Sequence, residues 1–569
     1  MNFRFEDTED PIRIPDRKRI VFLGDSITEN GAYIRYLDAF FLKHFPNHRL
    51  DFINLGVGSE TAAGTHESSH PFPRPCVHER LERALAESRP DWVFFCYGMN
   101  DGIYHPFSEE RFRLYREGML RAVEQAERAG ARVILMTPPP FDVLSVNGEP
   151  LPEGMPDYAF ETPYEGYNDE VLGKYADWVE RIGAERGCTV VDLREPLLSY
   201  IRQRREANPA YKYGDAVHPE EDGHWVMARA ILKDAFHIVL ERTPAWVEHL
   251  DGNFISLVRR RRDVLNAAWR EHVGHSNPFK FDALPLEEAK RVAEAMLEEI
   301  RAAAAQEGGE VSAVQSRWKG CLRTDFYHEG RECILVAPAQ PAPGRPWLWR
   351  CEFFGAFDAA DMALLERGWH VAYIRLSDLY GCPYAAELME GFRARLAADF
   401  GLTAKPVLLG FSRGGLYALR YAGLYPERTG ALYLDAPVVD IRSWPGGRGR
   451  GLGSPAEWRD CLGVHGLGGL SAAEAEQRAG ENAAALLERL APAAAAGVEL
   501  LLVAGDADRT VPFGENGAVL ERRYRELGGT VRTILKPGGD HHPHGLPDAA
   551  PIVAFLLRQA EKTAALPET

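Results

Sequence analysis

Short apolar runs of strand length recur along this chain, separated by stretches long enough to form helices. From about residue 19 to 236 the runs are 20–23, 50–55, 92–97, 132–136 and 189–193, rich in β-branched and aromatic residues. They are continuously apolar rather than alternating, which predicts strands buried on both faces, in a parallel sheet covered by helices on each side. That is an α/β domain. Over 245–306 the period changes: Ala289, Val292, Ala293, Met296, Leu297 and Ile300 fall at helical spacing, with Gly308-Gly309 as the expected stop. This stretch reads as a helical connector. From about 316 the strand and helix signals resume, with runs at 347–350, 371–374, 407–409, 431–434, 500–503 and 531–535. The expected organisation is one α/β domain over 1–244, a connector over 245–315 and a second α/β domain over 316–569. No internal repeat relates the halves.

Composition adds limits to this picture. A chain of 569 residues exceeds what one hydrophobic core usually organises, and its apolar share of 45% and charged share of 26% are those of folded proteins. The net charge of −17 repels phosphate backbones and anionic lipid, so neither nucleic acid nor a membrane is expected as a partner. Arg259 to Arg262 form a basic run, but inside a helical stretch they spread around the axis and read as a solvated or ion-paired face. The chain starts without the features of a secretory signal and has no long apolar run. Its 8 cysteines include no CxxC pair. A reducing cytoplasm is expected, without structural disulfides, metal or cofactor.

Candidate chemistry sits where strands end. Gly24-Asp25-Ser26 follows the first predicted strand. Then come Asn54-Leu55-Gly56-Val57-Gly58-Ser59, Gly98-Met99-Asn100-Asp101 after another strand, and Asp215-Ala216-Val217-His218. A serine hydroxyl needs a base to become a nucleophile, and Asp215 with His218 can place carboxylate and imidazole beside it from one loop. Asn100 offers a neutral amide donor which, with the backbone N–H groups of Ser26 and of the 58–59 turn, can stabilise an oxyanion. These four blocks, in this order over about residues 19–240, resemble the SGNH, or GDSL, hydrolase family. The resemblance implies a flavodoxin-like three-layer α/β/α fold and hydrolysis of esters, often acetyl groups on sugars. Where the family's second block ends in glycine this chain has Ser59, with Gly58 one residue earlier, so either amide is a candidate donor. His66, His70 and His78 lie among prolines between the second and third blocks and read as a loop near the cleft rather than as metal ligands.

A second constellation begins at Gly410-Phe411-Ser412-Arg413-Gly414, a G-x-S-x-G sequence with an apolar run before it and a helical stretch after it, as a nucleophile elbow requires. Gly505-Asp506-Ala507-Asp508 and Gly539-Asp540-His541-His542-Pro543-His544 follow later strands. The order Ser, Asp, His and the elbow resemble the α/β-hydrolase superfamily over about 325–560, in particular its esterase and prolyl-oligopeptidase-like members. The resemblance implies Asp508 as the acid, with Asp506 second, and His541 as the base, with His542 the alternative. It also implies an oxyanion hole from the Arg413 N–H and another from 350–353. The Arg413 guanidinium beside the nucleophile is a candidate to bind a substrate carboxylate, and G-F-S-R-G-G is similar to the elbow of glucuronoyl esterases.

Two serine sites in one chain predict a bifunctional carbohydrate esterase removing acyl, chiefly O-acetyl, groups from oligosaccharides through acyl-enzyme intermediates. A thioesterase or lipase, an acyltransferase, or one active domain beside a non-catalytic sugar-binding fold are the alternatives. Acyl group, sugar and oligomeric state are not written in the sequence.

Overall fold

The computed structural model describes residues 12–306 and 313–564. They divide into two compact units, one within Ile14–Gly309 and the other within Glu310–Thr569, which also takes in Ile12 and Arg13. The predicted stop at Gly308-Gly309 and the first eleven residues lie outside the described residues.

The first unit is built on a five-stranded parallel sheet of β1 (Lys18–Gly24), β2 (Leu50–Asn54), β3 (Trp92–Cys96), β4 (Arg132–Met136) and β5 (Thr189–Val191), in the order β2-β1-β3-β4-β5. Its central strands are buried along nearly their whole length, which is why they read as unbroken apolar runs. Phe22 stacks at 4.6 Å on Phe94 of β3 and at 6.3 Å on Phe52 of β2, fixing the strands face to face. Truncating such a fully buried ring costs about 3–5 kcal/mol. Strand order reverses between β1 and β3, β2 lying on one side of β1 and β3 to β5 on the other, so the crevice at the carboxyl ends of β1 and β3 is the natural place for a ligand.

The helices over 245–306, expected as a connector, are part of this unit. Arg262 is buried and its guanidinium donates to the Phe52 carbonyl at 2.5 Å, Arg261 pairs with Asp38 at 2.7 Å, and Lys43 Nζ donates to the Ala304 carbonyl at 3.2 Å. The apolar stripe that read as a connector lies on the helices Leu286–Ala295 and Leu297–Gln306, which pack on the helix Asn253–Val273; the second also meets the helix Ala32–His44, and it is Asn253–Val273 that covers the edge strand β2. The arginine run is the ion-paired face, with Arg260 left exposed.

The second unit holds a nine-stranded mixed sheet in the order β14-β13-β12-β11-β9-β10-β8-β7-β6. Its strands are β6 (Val314–Trp318), β7 (Cys321–His328), β8 (Arg331–Ala337), β9 (Trp347–Arg350), β10 (His370–Ile374), β11 (Val407–Phe411), β12 (Ala431–Asp435), β13 (Glu499–Gly505) and β14 (Val531–Lys536). β9 to β14 run parallel, whereas β6, β7 and β8 form antiparallel pairs at the far edge. Ile12 belongs to this core, and Arg13 forks onto Glu387 at 2.7 and 2.8 Å, so the domain expected over 1–244 yields these residues to the other unit. Between β12 and β13 the chain inserts the helices Pro455–Val464, Ala472–Glu488 and Ala491–Ala495. Among the described residues no helix is long and apolar enough to cross a membrane.

Candidate active sites

In the first unit β1 delivers Ser26 to the crevice as the first residue of the short helix Ser26–Asn30, where Asp25 caps the turn by accepting from Ile27 N–H at 3.0 Å. Ser26 Oγ lies 2.7 Å from His218 Nε2, and His218 Nδ1 lies 2.8 Å from an Asp215 carboxylate oxygen. The other Asp215 oxygen accepts from the N–H groups of Val217 and His218 at 3.1 and 2.9 Å, so the three-residue spacing closes into a loop. A carboxylate only accepts, which puts the ring proton on Nδ1 and the lone pair of neutral His218 on Nε2, facing the serine. Burial works to raise Asp215, but the hydrogen bonds from His218 hold it down at about 2. Burial likewise works to lower His218, and the bond and charge of Asp215 override it, leaving the imidazole above its usual pKa. Asp25 is buried beneath this pair, and desolvation pushes its carboxyl up to about 6.

The second and third blocks meet at the same crevice. Asn100 Oδ1 accepts from Arg74 at 3.0 Å and from Tyr104 Oη at 3.1 Å, which makes its NH2 the donor end; one hydrogen goes to the Glu60 carbonyl at 3.3 Å and the other remains. Arg74 is itself locked by Glu67, and Asp101 ties the loop down by accepting from Ala62, Ala63 and Gly98 N–H groups at 2.8, 2.8 and 2.9 Å. Gly58 and Ser59 differ in their hydrogen bonding. Gly58 N–H already donates to Glu29 at 2.7 Å, whereas among the described residues the Ser59 N–H has no acceptor. Ser59 has φ +64°, the left-handed conformation that favours glycine, and its Oγ is held by His70 at 3.2 Å. Sequence reasoning missed the two residues behind this turn: Asn277 donates to the Gly58 carbonyl at 2.8 Å, and Arg270 pairs with Glu29 at 3.2 Å. Both come from the stretch expected as a connector, and no local motif marks them.

In the second unit β11 runs into Ser412, whose φ of +49° makes the sharp turn into the helix Gly414–Leu424. A side chain at 415 would meet Pro437 Cβ at 2.5 Å and the Val438 carbonyl at 2.9 Å, which is why glycine stands there. Ser412 Oγ lies 3.0 Å from His541 Nε2, and His541 Nδ1 lies 2.8 Å from Asp508. Asp508 also accepts from Thr510 and Val511 N–H groups at 2.9 and 2.8 Å. The alternatives make other contacts: Asp506 accepts from Gly538 N–H at 2.7 Å, and exposed His542 stacks on Phe357 at 5.6 Å. His544 is buried against Asp435 at 3.0 Å.

The Arg413 N–H has no acceptor among the described residues. Of the 350–353 segment, Cys351 N–H is spent on the Leu409 carbonyl at 2.9 Å, which leaves Glu352 and Phe353. Buried Arg350 shapes this loop by forking onto Asp361 and donating to the Phe353 and Ala356 carbonyls at 2.7 and 2.8 Å. The Arg413 side chain pairs with buried Glu352 at 3.3 Å and with Glu457 at 3.1 Å, packed over the rings of Phe353 and Tyr380. Two carboxylates neutralise the guanidinium expected to bind substrate, so its contacts are those of a structural pair rather than an open anion site.

Residues 22–226 match the GDSL-like Lipase/Acylhydrolase family. They form a GDSL-like hydrolase domain. The chain is thereby a carboxylic ester hydrolase. It is similar to an acetylxylan esterase of Geobacillus stearothermophilus, with 22% identity over 244 residues, covering 39% of this chain and 96% of the relative. Among solved structures it is similar to a gut microbial diltiazem-metabolizing enzyme (TM-score 0.32, 21% identity, 40% of this chain), of which it spans 49%. It is also similar to an S-formylglutathione hydrolase from Agrobacterium tumefaciens (TM-score 0.30, 17% identity), over 44% of this chain and 97% of that one. The GDSL match ends before the helix Asn253–Val273, which carries Arg270, and the segment after it, which carries Asn277.

Proposed function

We propose that the protein is a bifunctional carbohydrate esterase, with a GDSL-type site of flavodoxin-like fold at Ser26 and an α/β-hydrolase site at Ser412. The observation that carries this reading is that each unit closes a complete Ser–His–Asp chain, at 2.7 and 2.8 Å in the first and 3.0 and 2.8 Å in the second. The similarity to an acetylxylan esterase supports acetylated oligosaccharides as the first site's substrates.

In the first site Ser26 Oγ attacks the acyl carbon while its proton passes to His218 Nε2, and Asp215 stabilises the imidazolium. The N–H groups of Ser26 and Ser59 and the Asn100 amide take the oxyanion. His218 then returns the proton to the departing sugar oxygen as the C–O bond breaks. Water repeats the cycle on the acyl-enzyme, releasing the carboxylic acid and free Ser26. Ser412, His541 and Asp508 run the same steps in the second site, with Arg413 N–H as one oxyanion donor.

The test uses the full chain, its Ser26→Ala and Ser412→Ala variants and the double variant on acetylated, feruloylated and uronate-ester oligosaccharides, with products read by mass. Each single variant should lose one set of products by roughly 10⁴-fold or more while retaining the other. Loss of all products in Ser26→Ala, with none lost in Ser412→Ala, would remove the second site from the reading.

A further inference from the structure

The loop that carries His541 brings three imidazoles together. Ring centroids of His541, His542 and His544 are 4.8, 5.0 and 5.0 Å apart, with the ring planes mutually steep at 66°, 78° and 84°. Edge-to-face packing accounts for the spacing but not for where the nitrogens go. One ring nitrogen from each of the three lies within 4.8 Å of the other two.

Two of the rings are braced from behind. His541 Nδ1 faces Asp508 at 2.8 Å and His544 Nδ1 faces Asp435 at 3.0 Å. Carboxylates only accept, so each Nδ1 carries the ring proton and each neutral ring keeps its lone pair on Nε2. A carboxylate behind a histidine that offers its far nitrogen is the arrangement that orients metal-binding imidazoles. His544 Nε2 is buried and has no hydrogen-bond partner. Stacking against Phe411 at 4.8 Å holds its ring in place. His542 is the exposed member, stacked on Phe357.

We propose that His541, His542 and His544 form a binding site for a divalent transition-metal ion of the zinc, nickel and cobalt class, which switches off the second serine site. Imidazole nitrogen suits these ions, and three such ligands leave one position for water. Metal–nitrogen distances of about 2.0–2.1 Å put tetrahedral ligands about 3.4 Å apart, so all three rings draw in on binding from a spacing within 4.8 Å. The ion occupies the His541 lone pair that otherwise receives the Ser412 proton, so a chain loaded with metal cannot generate its nucleophile. No bond of the protein is made or broken, and removal of the ion restores the site. Binding follows from the three rings alone; only the inhibition rests on reading Ser412 as a nucleophile.

The experiment titrates the full chain with Co²⁺, followed by the visible absorption of histidine-bound cobalt, and adds Zn²⁺ as competitor. His542→Ala, an exposed position outside the triad, should weaken uptake about tenfold or more, the scale on which even partners behind a ligand count. His544→Ala should do the same, with folding checked by circular dichroism. Zn²⁺ should suppress ester hydrolysis in Ser26→Ala and spare it in Ser412→Ala, with EDTA reversing the loss. Cobalt uptake that is absent, or unchanged by His542→Ala, overturns the site. Uptake that depends on His542 while Zn²⁺ leaves Ser26→Ala hydrolysis intact keeps the site and overturns its inhibitory role. If Ser26→Ala has no hydrolysis to suppress, the two-site reading falls and the metal site stands on cobalt uptake alone.

Discussion

Single atoms decide the chemistry available at each proposed nucleophile. In the first site Asp215 raises His218 above its usual pKa, so the base stays protonated to higher pH than a free imidazole at about 6.5. Activity needs the neutral ring. In the Ser412→Ala chain, kcat/KM should therefore fall as pH drops, with a midpoint above 6.5; a midpoint at or below 6 would contradict the proposed base. Ser59 gives a second residue-scale expectation. Its backbone N–H is the proposed donor and its side chain sits on a left-handed turn that costs a non-glycine residue about 1–2 kcal/mol. Ser59→Gly relieves that cost and keeps the N–H, so first-site kcat should stay within about threefold of the parent while thermal stability holds or rises. A large loss of kcat would transfer the role to the hydroxyl.

At the scale of elements, the helix Asn253–Val273 and the turn after it complete a site otherwise built from strand ends. Arg270 restrains Glu29, Glu29 accepts from the Gly58 N–H, and Asn277 donates to the Gly58 carbonyl, so the peptide units on both sides of Gly58, including the one that carries the Ser59 N–H, are pinned. Asn277→Ala should lower first-site kcat about tenfold with little change in KM, because it loosens a donor that matters most in the transition state. Asn277→Asp, which cannot donate, should not rescue it. A loss seen only as a lower melting temperature would make Asn277 purely structural. These residues could not be read from the sequence because their partners lie more than 200 positions away and asparagine and arginine are common on helices and turns. The strands were legible for the opposite reason: burial on both faces made β1, β3, β11 and β13 unbroken apolar runs. β6 escaped notice because it is exposed along most of its length and carries no such pattern.

For the molecule as a whole, the sequence by itself determined the two α/β units and the order of the candidate serine, aspartate and histidine in each. These depend on local rules: apolar periodicity, serine at a strand end, and the short Asp215-to-His218 loop. Tertiary structure alone decided the rest. It set the contacts of residues that the resemblance had already ranked, turning His541 and Asp508 toward each other and toward Ser412 while Asp506 meets Gly538 and His542 stacks on Phe357. It assigned Gly58 to Glu29, leaving the Ser59 N–H without an acceptor among the described residues, and spent the Arg413 guanidinium on Glu352 and Glu457. It also folded 245–306 onto the first sheet, since an amphipathic stripe states that a helix must be covered but not by what. Each of these outcomes rests on contacts between residues far apart in the chain, which a pattern read along it does not contain.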